Sequence, residues 1–366
     1  MNAGDFLNRL DFREKQLRGE NLAGAELKGA NLRGSDLKGA DLSGAILSYA
    51  DLIEADLSEA NLSEADLSES FLNLANLHNA NLAGANLREC SLVGTEFSAA
   101  DLRRVSFIGA NFVGANLDEA NLAGANLSGA DLRGALLFGA KLAGALYSHR
   151  TLFAPDTDLT GAFLLAPQAS LPEANLAGAD LSAADLKGAD LRKANLMGAK
   201  LVRASLDRAN LKGANLRDAD LREASLMGAS LENAIYNNKT RLSDGIDLSA
   251  YGAYRVAPNI SLHHVNLSGL DLQGADLSGA DLREANLKGS DLRNVDLSGT
   301  NLRRANLQGA NFEGTDLRGA NLTDAILAQA NLKGSDLRGV DLTRADLTEA
   351  DLRDADLRGT DVTGAC

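Results

Sequence analysis

Tryptophan is absent from this 366-residue chain, and aromatic residues make up only 4% of it. A core of ordinary globular packing, anchored by large rings, is therefore excluded. Proline occurs four times and cysteine twice, at Cys90 and Cys366. Two cysteines cannot make a disulfide framework, and a reducing compartment is expected. The opening Met1-Asn2-Ala3-Gly4-Asp5-Phe6 lacks the basic and apolar regions of a secretory leader. No run of about 18 apolar residues is present, so no membrane-spanning helix is expected and the cytoplasm is the expected location. Basic residues are in deficit, giving a net charge of −14. That balance argues against non-specific binding to nucleic acid or to an anionic membrane surface. It is compatible with a partner protein that has a basic surface.

What is present is repetition. Hydrophobic residues reach 45%, mostly Leu and Ala, and glycine reaches 36 residues. Asn21-Leu22-Ala23-Gly24-Ala25 is followed by Glu26-Leu27-Lys28-Gly29-Ala30, and the pattern still runs at Asp356-Leu357-Arg358-Gly359-Thr360. A period of five fits neither the 3.6 of an α-helix nor the 2 of a strand. It signals stacked units that bury their apolar side against neighbours. Regularly spaced Leu also argues against disorder.

Each unit centres on a Leu. Two residues before it stands Ala, then Asp or Asn; after it come a variable polar residue and, often, Gly. Ala40-Asp41-Leu42-Ser43-Gly44 is a clean example. Over about nine tenths of its length the chain resembles the pentapeptide repeat family, whose pattern is Ala-(Asp/Asn)-Leu-x-x. The resemblance implies an all-β fold, a right-handed quadrilateral β-helix in which four pentapeptides make a square coil of twenty residues. About seventeen coils at the β spacing of about 4.8 Å would form a rod of roughly 80 Å. In that fold the central Leu and preceding Ala point inward, and Gly near the bend supplies a positive φ. Ser35, Ser70, Cys90, Thr95 and Val105 replace the inward Ala with other small residues. Cys90 therefore reads as buried and inert. Phe97, Phe107 and Phe112 replace the central Leu and are expected to widen the coil locally.

The register breaks twice, and the breaks resemble each other. Tyr147-Ser148-His149-Arg150-Thr151 opens one and Tyr236-Asn237-Asn238-Lys239-Thr240 the other; they close as Ala166-Pro167 and Ala257-Pro258. The expected organisation is a short cap at 1–11, repeats at 12–152, an insert at 153–170, repeats at 171–236, an insert at 237–261 and repeats at 262–366. Each insert is a coil plus a few residues. The counting predicts that the stack continues through both, with a loop pushed out and a kink in the axis. A hinge between separate domains is the other arrangement the counting allows. At the start, Phe6, Leu7 and Leu10 could line one side of a capping helix. At the end, repeats run on to Cys366. Family members that act on topoisomerases commonly carry a dimerising C-terminal helix, which is missing here. A monomer, or an end-to-end dimer through the open last coil, is expected.

The clearest interaction candidate is acidic. No Lys or Arg occurs between Lys38 and Arg88, a span holding Asp51, Glu54, Asp56, Glu59, Glu64, Asp66 and Glu69. The four Glu take the same place in successive pentapeptides and so ring one coil, with nothing in the span to neutralise them. The reading is a docking patch for a basic partner, against a plainly solvated surface. A second acidic set, Asp276, Asp296, Asp316, Asp336 and Asp356, is spaced by twenty and stacks in one column. Arg318, Arg338 and Arg358 form a parallel column, so an ion-pair ladder is expected there. Calcium binding is disfavoured, because that spacing does not gather six oxygens.

Catalysis finds no support. The four histidines, His78, His149, His263 and His264, show no metal-ligand spacing beyond the adjacent pair. No nucleotide-binding loop or nucleophile motif is present, and no cofactor is expected. The expected function is a non-enzymatic scaffold for protein–protein interaction. The alternative that the resemblance implies is DNA mimicry, protecting or inhibiting a type II topoisomerase such as gyrase.

Overall fold

A computed structural model describes residues 10–155 and 157–366. The sequence-expected cap at 1–11 lies almost wholly outside them, and Asp11 is already paired with Asn31 in the ladder. From there each pentapeptide makes one parallel bridge, always at the residue before the central Leu. Asn21 pairs with Asp41, Glu26 with Ile46, Asn31 with Asp51 and Asp36 with Asp56. Four bridges per twenty residues give every coil four faces. The faces are too short for long strands, because a turn follows within three residues.

The repeat's chemistry explains each position. The Leu22 amide donates to Asp41 O (2.7 Å) and the Gly24 amide to Ser43 O (2.8 Å), tying coil to coil. The Ala25 amide donates back to Leu22 O (3.0 Å) and closes the turn. The central Leu and the Ala two before it are fully buried along most of the ladder. The Asp or Asn between them turns its side chain back on its own backbone. Asp41 Oδ1 accepts from the Ser43 amide (3.1 Å) and Asn61 Oδ1 from the Ser63 amide (3.3 Å). Both residue types close this turn equally well, so the column needs an acceptor rather than a charge. Hydroxyls at the inward Ala site bond to carbonyls, as Ser35 Oγ does to Leu32 O (2.7 Å) and Thr95 Oγ1 to Leu72 O (2.8 Å).

By contact the chain forms two units, 1–169 with 178–186 and 170–177 with 187–366. In the first, the core runs from Leu27 to Ala145. Phe97, Phe107 and Phe112 form a fully buried trio within it, with ring centroids 4.8–6.3 Å apart. Cys90 is buried nearby, its Sγ 2.9 Å from Leu67 O, and burial pushes its thiol up to about 11. In the second unit, the core of the last stretch begins at Ile235, Val256 and Leu262 and runs to Ala345.

Each insert adds a closing coil to the repeats before it. In the first, β1 (Leu146–Ser148) pairs in parallel with β2 (Phe163–Leu165). In the second, β3 (Ile235–Tyr236) pairs with β4 (Tyr254–Arg255), and a 3₁₀ turn (Leu248–Tyr251) lies between them. A ladder passing unbroken through the second insert is not what forms. Asn259 already bonds forward to Ser278 O (2.8 Å). Yet Arg241 pairs only backward with Asp220 and Ser261 only forward with Asp281 among the described residues.

Candidate functional site

The acidic ring is built on backbone strain. Glu54, Glu59, Glu64 and Glu69 all stand at the bend of the pentapeptide with φ of 57–60°. Glycine is the usual occupant of that left-handed region, and a side chain there costs about 1–2 kcal/mol. Seven consecutive bends, from Tyr49 to Asn79, lack glycine. Each Glu belongs to a different face of the coil, so the ring points in four directions and is not one patch. Nor is it without counter-charge. Lys38 Nζ lies 2.9 Å from Glu59 Oε1, and Arg33 Nε lies 3.5 Å from Asp51 Oδ2. Both cations reach in from beyond the Lys- and Arg-free span, along the stack rather than along the chain. Asp51, Asp56 and Asp66 close their own turns through the amides of Ile53, Ser58 and Ser68.

One face of this region carries something the charge pattern does not reveal. Asp51 pairs with Phe71, Phe71 with Ser91 and Ser91 with Asn111. On that face Phe71 is 48% exposed, Leu74 61% and Val93 36%, with Ile53 and Val113 half-buried. Leu74 is the only aliphatic residue larger than Ala at a left-handed bend among the described residues. Tyr49, on the adjoining bend, is also exposed; its hydroxyl donates to Glu69 Oε1 (2.6 Å), which raises the phenol's pKa. Between Arg33 and Arg133 this face has no Lys or Arg. The clue in sequence is that apolar residues sit where the repeat asks for Asp, Asn or Gly.

The second acidic set forms one column, in which Asp276 pairs with Asp296 and the pairing continues to Asp356. Arginines interleave with its lower part. Arg318 lies 2.6 Å from Asp316 and 3.8 Å from Asp336; Arg338 lies 2.6 Å from Asp336 and 3.6 Å from Asp356. Arg358 closes the series on Asp356 at 2.6 Å, and its hydrogen bonds hold that carboxyl down at about 2. Asp276 and Asp296 close turns on Ser278 and Ser298 instead.

Both inserts are held by the same side-chain framework. Thr151 Oγ1 donates to Leu127 O (2.9 Å) and accepts from the Ser148 amide (3.0 Å). Thr240 Oγ1 donates to Leu216 O (2.9 Å) and accepts from the Asn237 amide (3.1 Å). Asn126 Nδ2 donates to Asp180 O, and Asn215 Nδ2 to Asp271 O (3.4 Å). A cleft opens beside each, about 570 Å³ at the first and 490 Å³ at the second. Neither Asp180 nor Arg217 stood out in the repeat pattern.

Of the histidines, His78 bonds to Ser98, His263 to Ser261 and His264 to Glu284, while His149 lines the first cleft. No group of three or more His, Cys, Asp or Glu among the described residues could hold a metal ion. None of the described helices is long and apolar enough to cross a membrane.

Comparison with known proteins identifies a family. The profile of pentapeptide repeats fits residues 21–145, 168–198, 204–235 and 260–364. No curated protein sequence matches. Similar solved structures include QnrB1, described as a plasmid-mediated fluoroquinolone resistance protein. It is 19% identical over 60% of this chain and 89% of its own, with a TM-score of 0.34. HetL of the cyanobacterium Nostoc sp. strain PCC 7120, described as involved in heterocyst differentiation regulation, is 25% identical. That alignment covers 100% of this chain and 98% of HetL with a TM-score of 0.19. A further Nostoc pentapeptide repeat protein is 36% identical over 25% of this chain and 84% of its own, with a TM-score of 0.15.

Proposed function

The chain belongs to the pentapeptide repeat family, whose members fold as right-handed β-helices, and we propose that it is a non-enzymatic, cytoplasmic scaffold that docks a basic protein partner. The observation that carries this reading is the face around Phe71 and Leu74. Two large apolar side chains stand about half exposed or more there, one of them in a strained bend. Asp51, Glu54 and Glu69 border them. Exposed apolar area with a charged rim is the usual anatomy of a protein interface. Strain that the core does not require is often retained for function. The partner would present apolar side chains flanked by Lys or Arg. Glu59, Glu64, Asp56 and Asp66 lie on other faces and would serve mainly in long-range attraction.

The alternative, DNA mimicry toward gyrase, asks for an acidic face along the whole stack. The Asp276–Asp356 column is offset by Arg318, Arg338 and Arg358, which argues against it.

The test is affinity capture with three forms: the parent, F71S/L74S, and the variant with Glu54, Glu59, Glu64 and Glu69 all changed to Gln. A basic protein held by the parent and lost by F71S/L74S is the expected result. The Gln variant should weaken capture and flatten its dependence on salt. A captured set unchanged in both variants would overturn the reading. Gyrase subunits in that set would favour the alternative.

A further inference from the structure

The two clefts are lined by residues at matching places. Ser148, His149 and Arg150 in the first stand where Asn237, Asn238 and Lys239 stand in the second. Ala166-Pro167 matches Ala257-Pro258, and Ser182 to Asp185 matches Gln273 to Asp276. At one place the two differ sharply. The second cleft has Arg217 and the first has Ser128, each two residues after the Asn that anchors the insert.

Arg217 is buried, and its guanidinium is spent on backbone carbonyls and the Asn215 side chain. Nη1 donates to Leu272 O (3.3 Å) and Gln273 O (3.0 Å), and Nε to Asn215 Oδ1 (3.1 Å). Asp218 and Asp271 supply the negative charge around it. In the first cleft the matching carbonyls belong to Leu181 and Ser182. Ser128 is too short to reach them. Its Oγ is buried and has no hydrogen-bond partner among the described residues. A buried hydroxyl left unmade in this way is uncommon.

We propose that the first cleft is a socket for a guanidinium group brought by a ligand, an arginine side chain of a partner protein being the form that fits an acidic scaffold. The incoming group would take the place that Arg217 fills in the second cleft, with Ser128 Oγ as an added acceptor. The electrostatics allow it. Arg88 is engaged by Asp180 Oδ2 at 3.4 Å, and Glu89 and Asp185 stand on the walls. Arg150 also lines the cleft, but its counterpart Lys239 shares the second cleft with a buried guanidinium. The inference goes beyond the apolar docking face and does not depend on it.

The experiment titrates the full chain with N-acetyl-arginine amide, and with N-acetyl-lysine amide as a control, followed by ligand-observed NMR and by melting temperature. The parent should bind the arginine probe saturably at one site, with a dissociation constant on the order of 1 mM, and the lysine probe at least about tenfold more weakly, because an ammonium lacks the planar fork. S128R should fill the socket, abolish binding and leave the melting temperature equal or higher, which separates occupancy from misfolding. R217S should open a second site and raise the stoichiometry from one to two. Free arginine derivative and protein-borne arginine are then told apart with a disordered Ser/Gly peptide carrying one Arg: equal affinity assigns the socket to the side chain alone. Absence of saturable binding to the parent, or binding that S128R leaves unchanged, would overturn the proposal.

Discussion

The first and second inserts share a framework and differ in what fills it. In both, a Thr hydroxyl caps the carbonyl of the coil below and an Asn amide reaches a carbonyl more than fifty residues ahead. Only the second adds a buried arginine. The Thr and Asn contacts are therefore what an interruption of the ladder requires, since they satisfy backbone groups that lose their neighbours. The arginine is a local choice, and its absence at the first insert leaves room.

Substitutions at matching places test that division. The largest effect is expected from R217S, which leaves buried carbonyls unpaired and opens a void; about 3 kcal/mol should be lost, read by denaturant unfolding. S128A, at the matching place, should be neutral or slightly stabilising. Equal losses for both would mean that Ser128 is as firmly engaged as Arg217 and that the two inserts do not differ in this way. T151V and T240V come next. Each removes a donor to one carbonyl and the acceptor for the amide three residues before it, while T151V also frees the Gly129 amide, which keeps Ser148 Oγ as its other acceptor; each should lose about 1–2 kcal/mol. Their likeness is the point: a difference beyond 1 kcal/mol would break the shared framework.

A second contrast sets the bends of residues 49–79 against those of the last stretch. Changing Glu54 or Glu64 to Gly should raise stability by about 0.5–1 kcal/mol per site, because relief of left-handed strain exceeds the added chain entropy. Gly274→Glu and Gly289→Glu, where a Cβ meets nothing within 4 Å, should lose a similar amount. The melting temperatures of both pairs decide the matter. The smallest effect is one of pH. Asp356 has a folded-state pKa of about 2, below its ordinary 3.8. Its contribution is present above about pH 4 and is lost as pH falls through 2. A carbon-detected titration of the carboxyl should give that midpoint, and R358Q should move it up toward the ordinary value.

Much of the fold could be read from the chain, because its five-residue repeat resembles a family of known fold. Leu42, Ala40 and the small substitute Ser35 could be placed inward from the repeat and the fold that its resemblance implies, and the kinship of the inserts from Tyr147 and Tyr236. The site was less legible. Lys38 meets Glu59 and Arg33 meets Asp51 through the stack, so a charge gap along the chain was not a gap in space. Phe71 and Leu74 broke the repeat's polarity in plain view, but their exposure needed the faces to be assigned. Asp180 and Arg217 gave no sign, since nothing in a short period encodes contacts fifty residues apart.

The turn made by the residue before each Leu has a consequence for how such a surface can change. Carboxylate and amide oxygens accept the same amide proton there, so exchanging one for the other leaves the scaffold intact. The net charge is thus a freely adjustable property, written in dozens of positions that each move it by one unit at little structural risk. A lineage could turn an acidic stack of coils into a neutral one by single steps, recruiting new partners by field alone while every coil keeps its fold.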